Sequence, residues 1–314
     1  MFLPPPLANN HYNCMSRELK GLIAIGTAVL FTILFVVCAS AQTYTFEHWT
    51  CRQVKESALF GGQTRTLYSI KSPWTTSNVH AQIMGTNKAA VSVYPTDHNG
   101  GKACLLKIEQ VDFSVMGVPV HVIASGSIFL GETIAPSNMK EASDPMSALN
   151  MNYAYSERPA VLYFDYEAQI EQSNVISQAH VSKRVRHYEG RDGASVTLLL
   201  QRRWEDADGH VHATRVATAT VRFYQSTNGW VSHFALPLRY GDITQQPDFQ
   251  DYEALNRHGF MVRNSRGKMV AIEEHDFNAD AQPTHLILLF SSGCQPVYSG
   301  HVGNCFKVDN VRLL

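Results

Sequence analysis

The sequence carries no surplus of charge of either sign. Only 17% of its residues are Asp, Glu, Lys or Arg, and the formal net charge is -1. A polyanion finds no electrostatic footprint on such a chain, so nucleic acid is excluded as a partner. The basic clusters Lys183-Arg184-Val185-Arg186 and Gln201-Arg202-Arg203 are short and read as solvated faces. The catalytic signatures G-x-S-x-G, H-E-x-x-H and G-x-G-x-x-G do not occur, nor does a P-loop. No Pro- or Ser-rich linker and no internal repeat marks a second domain. No C-x-x-C spacing supports a cysteine zinc site.

Residues 16–41 make a clear statement. Arg17 and Lys20 precede Gly21 to Val37, a run without a charge, and Cys38-Ala39-Ser40-Ala41 follows. That order is the n-region, h-region and small-x-small site of a secretory signal peptide, with cleavage expected after Ala41. The run is long enough to leave an uncleaved anchor as the alternative. Val36-Val37 lack the small residue that a lipid-attachment site at Cys38 would need. Met15 suits the start of such a signal better than Met1. The expected product is residues 42–314, one domain, exported to the periplasm or the extracellular space.

The exported part reads as β throughout. Strand candidates include Cys104 to Val111, Ala160 to Glu167, Ser195 to Trp204, Val211 to Tyr224 and Trp230 to Leu238. Val211 to Tyr224 alternates Ala213, Ala217, Ala219, Val221 and Phe223 against Thr214, Thr218, Thr220 and Arg222, the mark of a half-buried strand. Asp208-Gly209 and Asn228-Gly229 supply positive φ for turns between strands. Only Glu141 to Asn150 and Asp248 to Asn256 could make short helices. Near the C-terminus, Leu286 to Phe290 is an unbroken apolar run and Cys305 to Val311 alternates. The pair predicts a closing hairpin in an all-β, jelly-roll-like antiparallel β-sandwich with elaborated loops. Four cysteines remain after export, an even number in an oxidising compartment. The hairpin would bring Cys294 and Cys305 together as a disulfide and leave Cys51 with Cys104.

Five stretches, in order, resemble one family. They are Phe46-Glu47-His48-Trp49, Trp74-Thr75-Thr76-Ser77-Asn78, Ser125-Gly126-Ser127-Ile128-Phe129-Leu130-Gly131, Arg158-Pro159 before Val161 to Tyr166, and the end from Ser291-Ser292 to Val308-Asp309-Asn310-Val311. Together they resemble the Putative carbohydrate metabolism domain (PCMD) family of exported Bacteroidetes proteins. The resemblance implies a sandwich serving polysaccharide capture or processing, with a glycan or oligosaccharide as partner.

Glycan binding by a sandwich needs aromatic rings to stack on sugar faces and polar groups to meet the hydroxyls. Trp74 with Asn78, in a polar loop that matches a family motif, are the first candidates. Tyr153 and Tyr155 lie in a loop-like stretch, and Trp204 and Trp230 border turns. Trp49, in the opening strand, reads as core. Catalysis has weaker support: Asp165 and Glu167 share one strand face and could form a glycosidase pair, against a solvent-facing reading. His210 and His212 place two rings on one face, compatible with a metal. No cofactor is required, but a structural calcium between the first and last strands could use Glu47 and Asp309. The leading expectation is a non-catalytic glycan-binding protein. A glycoside-active enzyme, or a structural or adhesive protein contacting other cell-envelope proteins, are the alternatives.

Overall fold

The computed structural model describes residues 42–83, 85–115, 118–136, 138, 141, 144–180 and 184–314. The expected signal peptide, its cleavage site and the Met15 start lie outside them. Among the described residues the regular secondary structure is nearly all strand, and two large sheets dominate. The smaller has seven strands, with Val231–Pro237, Val161–Gln169, Cys305–Leu313, Gly101–Val115 and Val93–His98 side by side. The larger has ten, with Met269–Phe277, Val211–Phe223, Ala194–Glu205, His285–Ser291 and Ser127–Leu130 at its centre. Most pairings are antiparallel; Val211–Phe223 runs parallel to Met269–Phe277. The all-β sandwich is the observed architecture.

Between the sheets lies an aromatic core. Phe164 of the seven-stranded sheet meets Phe290 of the ten-stranded one at 5.2 Å between ring centroids, edge to face. Tyr166, Phe223, Phe234 and Phe306 close around them. Edge-to-face and offset rings of this kind add about 0.5–1.5 kcal/mol per pair beyond the burial itself. A second cluster covers the other face of the large sheet, where Phe129, Leu199, Ile287, Phe260 and Ile272 pack together. This double covering explains the unbroken run at Leu286–Phe290. Leu286, Leu288 and Phe290 face the inter-sheet core, and Ile287 faces the second cluster. The same covering corrects the half-buried reading of Val211–Phe223, whose residues from Ala213 to Ala219 are buried on both faces.

The closing hairpin does not form. His285–Ser291 pairs with Ala194–Glu205 and Ser127–Leu130, whereas Cys305–Leu313 pairs with Val161–Gln169 and Gly101–Val115. The chain crosses from one sheet to the other between them. The expected disulfides fall with the hairpin, and all four cysteines are free thiols. Cys294 Sγ approaches the Tyr224 hydroxyl at 3.9 Å, and Cys305 Sγ donates to the Gly303 carbonyl at 3.3 Å. Cys104 is fully buried between the sheets, and Cys51 is exposed on a separate two-stranded ribbon.

Gly209 (φ 88°) makes the expected hairpin turn between Ala194–Glu205 and Val211–Phe223. Gly229 (φ 81°) turns the chain between sheets instead, since Val231–Pro237 joins the smaller one. Among the described residues, the stretch Glu141 to Asn150 holds a 3-10 turn at Pro145–Ala148, and the candidate Asp248 to Asn256 reduces to a 3-10 turn at Asp251–Glu253. Gln201-Arg202-Arg203 is not a solvated face as a whole. Gln201 and Arg203 are buried, with Arg203 Nε donating to Gln201 Oε1 at 2.8 Å.

Candidate functional site

The aromatic candidates divide by burial. Trp74 is 4% exposed, edge-on to Tyr44 at 5.6 Å and Phe46 at 5.4 Å, and tilted against Phe290 at 5.9 Å. Its ring is part of the core and offers no face to a sugar. Asn78 spends its whole amide on the backbone. Nδ2 donates to the carbonyls of Tyr68 and Val93 at 3.0 and 2.8 Å, and Oδ1 accepts the Ser92 and Val93 amides at 2.9 and 3.0 Å. The loop motif therefore brackets strands and does not present a ligand contact. Tyr153 and Tyr155 are half-buried against the core, and the Tyr153 hydroxyl meets that of Tyr44 at 3.1 Å. Trp49 likewise packs against the core. Trp204, 46% exposed, is more open to solvent than the other candidate rings, which are buried or half-buried.

Trp230, Asp309 and Asp165 come together in one place. The Trp230 ring stacks on His98 at 3.8 Å, and His98 Nδ1 contacts Asp309 Oδ2 at 2.8 Å. Asp309 Oδ1 accepts the Asn310 amide, and Asp165, its cross-strand partner, accepts the His233 amide at 2.7 Å and Asn310 Nδ2 at 2.8 Å. Burial pushes the Asp309 carboxyl above its usual range, against the pull of His98. Asp165 is thus buried, not solvent-facing, and Glu167 pairs with Lys307 at 3.0 Å. Glu47, on the outside, accepts the Lys102 amide at 2.8 Å. Both Asp309 oxygens have a protein partner, His98 on one and the Asn310 amide on the other, and the nearby Glu47 charge adds to the upward push on its carboxyl.

Among the described residues, a polar opening lies elsewhere, where three chain turns meet. A cleft of about 240 Å³ is lined by Glu171, Gln172, Ser173, Asn174, Arg191, Asp192 and Tyr224. Three chain turns build it: the exit from Val161–Gln169, the entry to Ala194–Glu205 and the exit from Val211–Phe223. Asp192 anchors one of these turns from inside to the segment Cys294 to Asn304. It is 2% exposed; Oδ1 accepts the Cys294 amide at 2.9 Å, and Oδ2 accepts the His301 amide at 3.0 Å and Asn304 Nδ2 at 3.3 Å. Asn304 Oδ1 in turn accepts the Glu171 amide at 2.8 Å. Gly193 is required beside it, because a Cβ there would lie 2.2 Å from the Phe223 carbonyl oxygen. Burial, then the Asp192 charge, pushes the Cys294 thiol up to about 11, so it stays protonated.

The wall presents an aromatic ring, a guanidinium and a carboxylate. The Arg191 guanidinium sits 5.3 Å from the Tyr224 ring centroid, and Gln295 Nε2 donates to the Arg191 carbonyl at 2.7 Å. Both Asp192 oxygens are committed to the scaffold, which leaves Glu171 as the carboxylate facing a ligand. That set suits hydrogen bonding to hydroxyls, whereas glycoside cleavage of the usual kind needs two opposed carboxyl groups. None of these seven residues is among the sequence candidates. The available signal was the polar run Glu171-Gln172-Ser173-Asn174 that ends a strand.

The family model described as Putative carbohydrate metabolism domain matches residues 45–314. No curated protein matches the chain. Among solved structures, the chain is similar to one described as a putative glycoside hydrolase from Bacteroides thetaiotaomicron, at 16% identity and a TM-score of 0.48, covering 87% of this chain and 71% of that one. It is also similar to one so described from Bacteroides vulgatus, at 12% identity and a TM-score of 0.42, covering 87% and 97%.

Proposed function

The chain belongs to the Putative carbohydrate metabolism domain family, and from that premise we propose that it is an exported protein that binds a glycan or oligosaccharide without cleaving it. The observation that carries the reading is the polar cleft where the three turns meet, with Tyr224, Arg191 and Glu171 on its wall. A half-exposed tyrosine can lie against a sugar face, while Arg191, Gln172, Asn174 and Glu171 supply donors and acceptors for hydroxyls. Export rests on the residue 16–41 pattern, and other cell-envelope proteins are proposed as further partners on the same ground. Calcium between Glu47 and Asp309 stays a proposal of the sequence alone.

A glycan array and a reducing-sugar assay on the purified protein test this reading. Tyr224→Ala and Arg191→Ala should each weaken binding with the fold intact, the first by about 2 kcal/mol or more if the ring is a principal contact. Release of reducing ends would support the glycoside-active alternative. Silence in both assays would favour an adhesive or structural role.

A further inference from the structure

The cleft lies where the strand Ala194–Glu205 begins; a different set of side chains gathers where it ends, roughly 40 Å away at about 3.3 Å per residue. There the Asp206–His210 turn and the neighbouring strand Met269–Phe277 bring Asp206, His210, His212, Glu273 and His275 together. Asp206 Oδ2 lies 3.1 Å from His210 Nδ1 and 3.1 Å from His212 Nε2. In a tetrahedral site with bonds of about 2.0–2.1 Å, ligand atoms stand about 3.3 Å apart, so the spacing is close to that of a bound metal.

The turn is stiff. Asp206 Oδ1 accepts the amides of Asp208 and His210, both at 2.9 Å, and Gly209 takes the positive φ between them. On the other side of the His212 ring, Nδ1 lies 2.8 Å from His275 Nε2 and 3.7 Å from Glu273 Oε2. A proton on Nδ1 donated to His275 leaves the Nε2 lone pair pointing at the Asp206 side. A metal-bound histidine is commonly oriented by just such an outer partner. Imidazole and carboxylate ligands suit zinc, nickel or copper.

We infer that Asp206, His210 and His212 bind one divalent first-row transition-metal ion, with His275 orienting His212 from behind. The side chains of His210 and Asp206 are 60% and 35% exposed, so an ion enters from solvent and the remaining coordination positions face it. Binding displaces the protons shared around Asp206 Oδ2.

Calorimetry with zinc sulfate on tag-free protein should give one ion per chain. His210→Ala and Asp206→Asn, both at solvent-reached positions, should abolish saturable binding, and His275→Ala should weaken it by about 10–100-fold. His121→Ala, which breaks an ordinary contact with Asp112 at 2.8 Å, should change nothing. Trp204 provides a local reporter, its ring 5.6 Å from His212 and 5.9 Å from His275. Copper(II) should quench its fluorescence, and Trp204→Phe should remove most of that quench while the one-ion stoichiometry persists. Failure to bind zinc, nickel or copper would overturn the inference. So would binding unchanged in His210→Ala, or a quench undiminished in Trp204→Phe.

Discussion

Arg215 and Glu274 face each other from parallel neighbouring strands as an ion pair with almost no water around it. Arg215 is 0% and Glu274 7% exposed. Arg215 Nε donates to Glu274 Oε1 at 2.5 Å, Nη2 donates to Oε2, and Gln201 Nε2 adds a bond of 2.6 Å to Oε1. The guanidinium continues through Nη1 to Thr218 Oγ1 and the Glu253 carbonyl, each at 3.1 Å.

Removing one partner should leave the other charge buried and alone. Glu274→Ala is expected to cost about 3–5 kcal/mol of stability, read from urea unfolding. A loss below about 1 kcal/mol would show that the surroundings, not the pair, hold this region. Burial pushes the Glu274 carboxyl up, but Arg215, Gln201 and Asn256 outweigh it and the net shift is downward. Its contribution is therefore complete above the ordinary glutamate range and is lost as pH falls through the lower folded value.

His258 gives stability a second, higher pH window. Desolvation, then the Arg215 charge, pushes its imidazole down to about 4 from 6.5. The unfolded chain takes up that proton first, so stability is complete above pH 6.5 and declines as pH falls from 6.5 towards 4. NMR titration should find the His258 ring neutral at pH 5. A midpoint near 6.5 would show that the ring is solvated.

Trp74→Ala should act on folding and leave glycan affinity alone. Emptying the space between Tyr44, Phe46 and Phe290 should cost about 3–5 kcal/mol. Thermal unfolding and glycan binding of the folded fraction are the two readouts. A normal melting temperature with lost binding would return Trp74 to the ligand site.

Processing is checked most directly by mass. Protein recovered from the periplasm or medium should begin at Gln42, and recovery of the intact segment in a membrane fraction would count against cleavage.

Local pattern and pairwise partnership differ in how far they can be read. Val211 to Phe223, Ala194–Glu205 and the turn at Gly209 are visible because alternation and turn chemistry are properties of adjacent residues. Which strand pairs with which is set by contacts far apart in sequence. The hairpin expected of Leu286–Phe290 and Cys305–Val311 was for that reason an arch between sheets, and the disulfide drawn from it fell too. Trp74 resembled a binding residue because its neighbours are polar, yet Ser77 and Asn78 spend that polarity on strand backbone and on each other's surroundings. Arg215 could not be singled out in a run of Ala, Thr and Val, since its partner Glu274 lies 59 positions away. Fold class and family were legible; the cleft was not, because its walls come from three separate turns.

The strand Cys305–Leu313 sits in the middle of the seven-stranded sheet, flanked by Val161–Gln169 and Gly101–Val115. Until it arrives, both flanking strands present bare hydrogen-bonding edges, the state most open to aggregation. The ribosome makes residue 305 long after it makes either neighbour, so the sheet cannot close during synthesis. A chain kept open in this way stays exposed to wrong edge pairing until its last strand is made. Truncation before residue 305 would strip the sheet of its keystone.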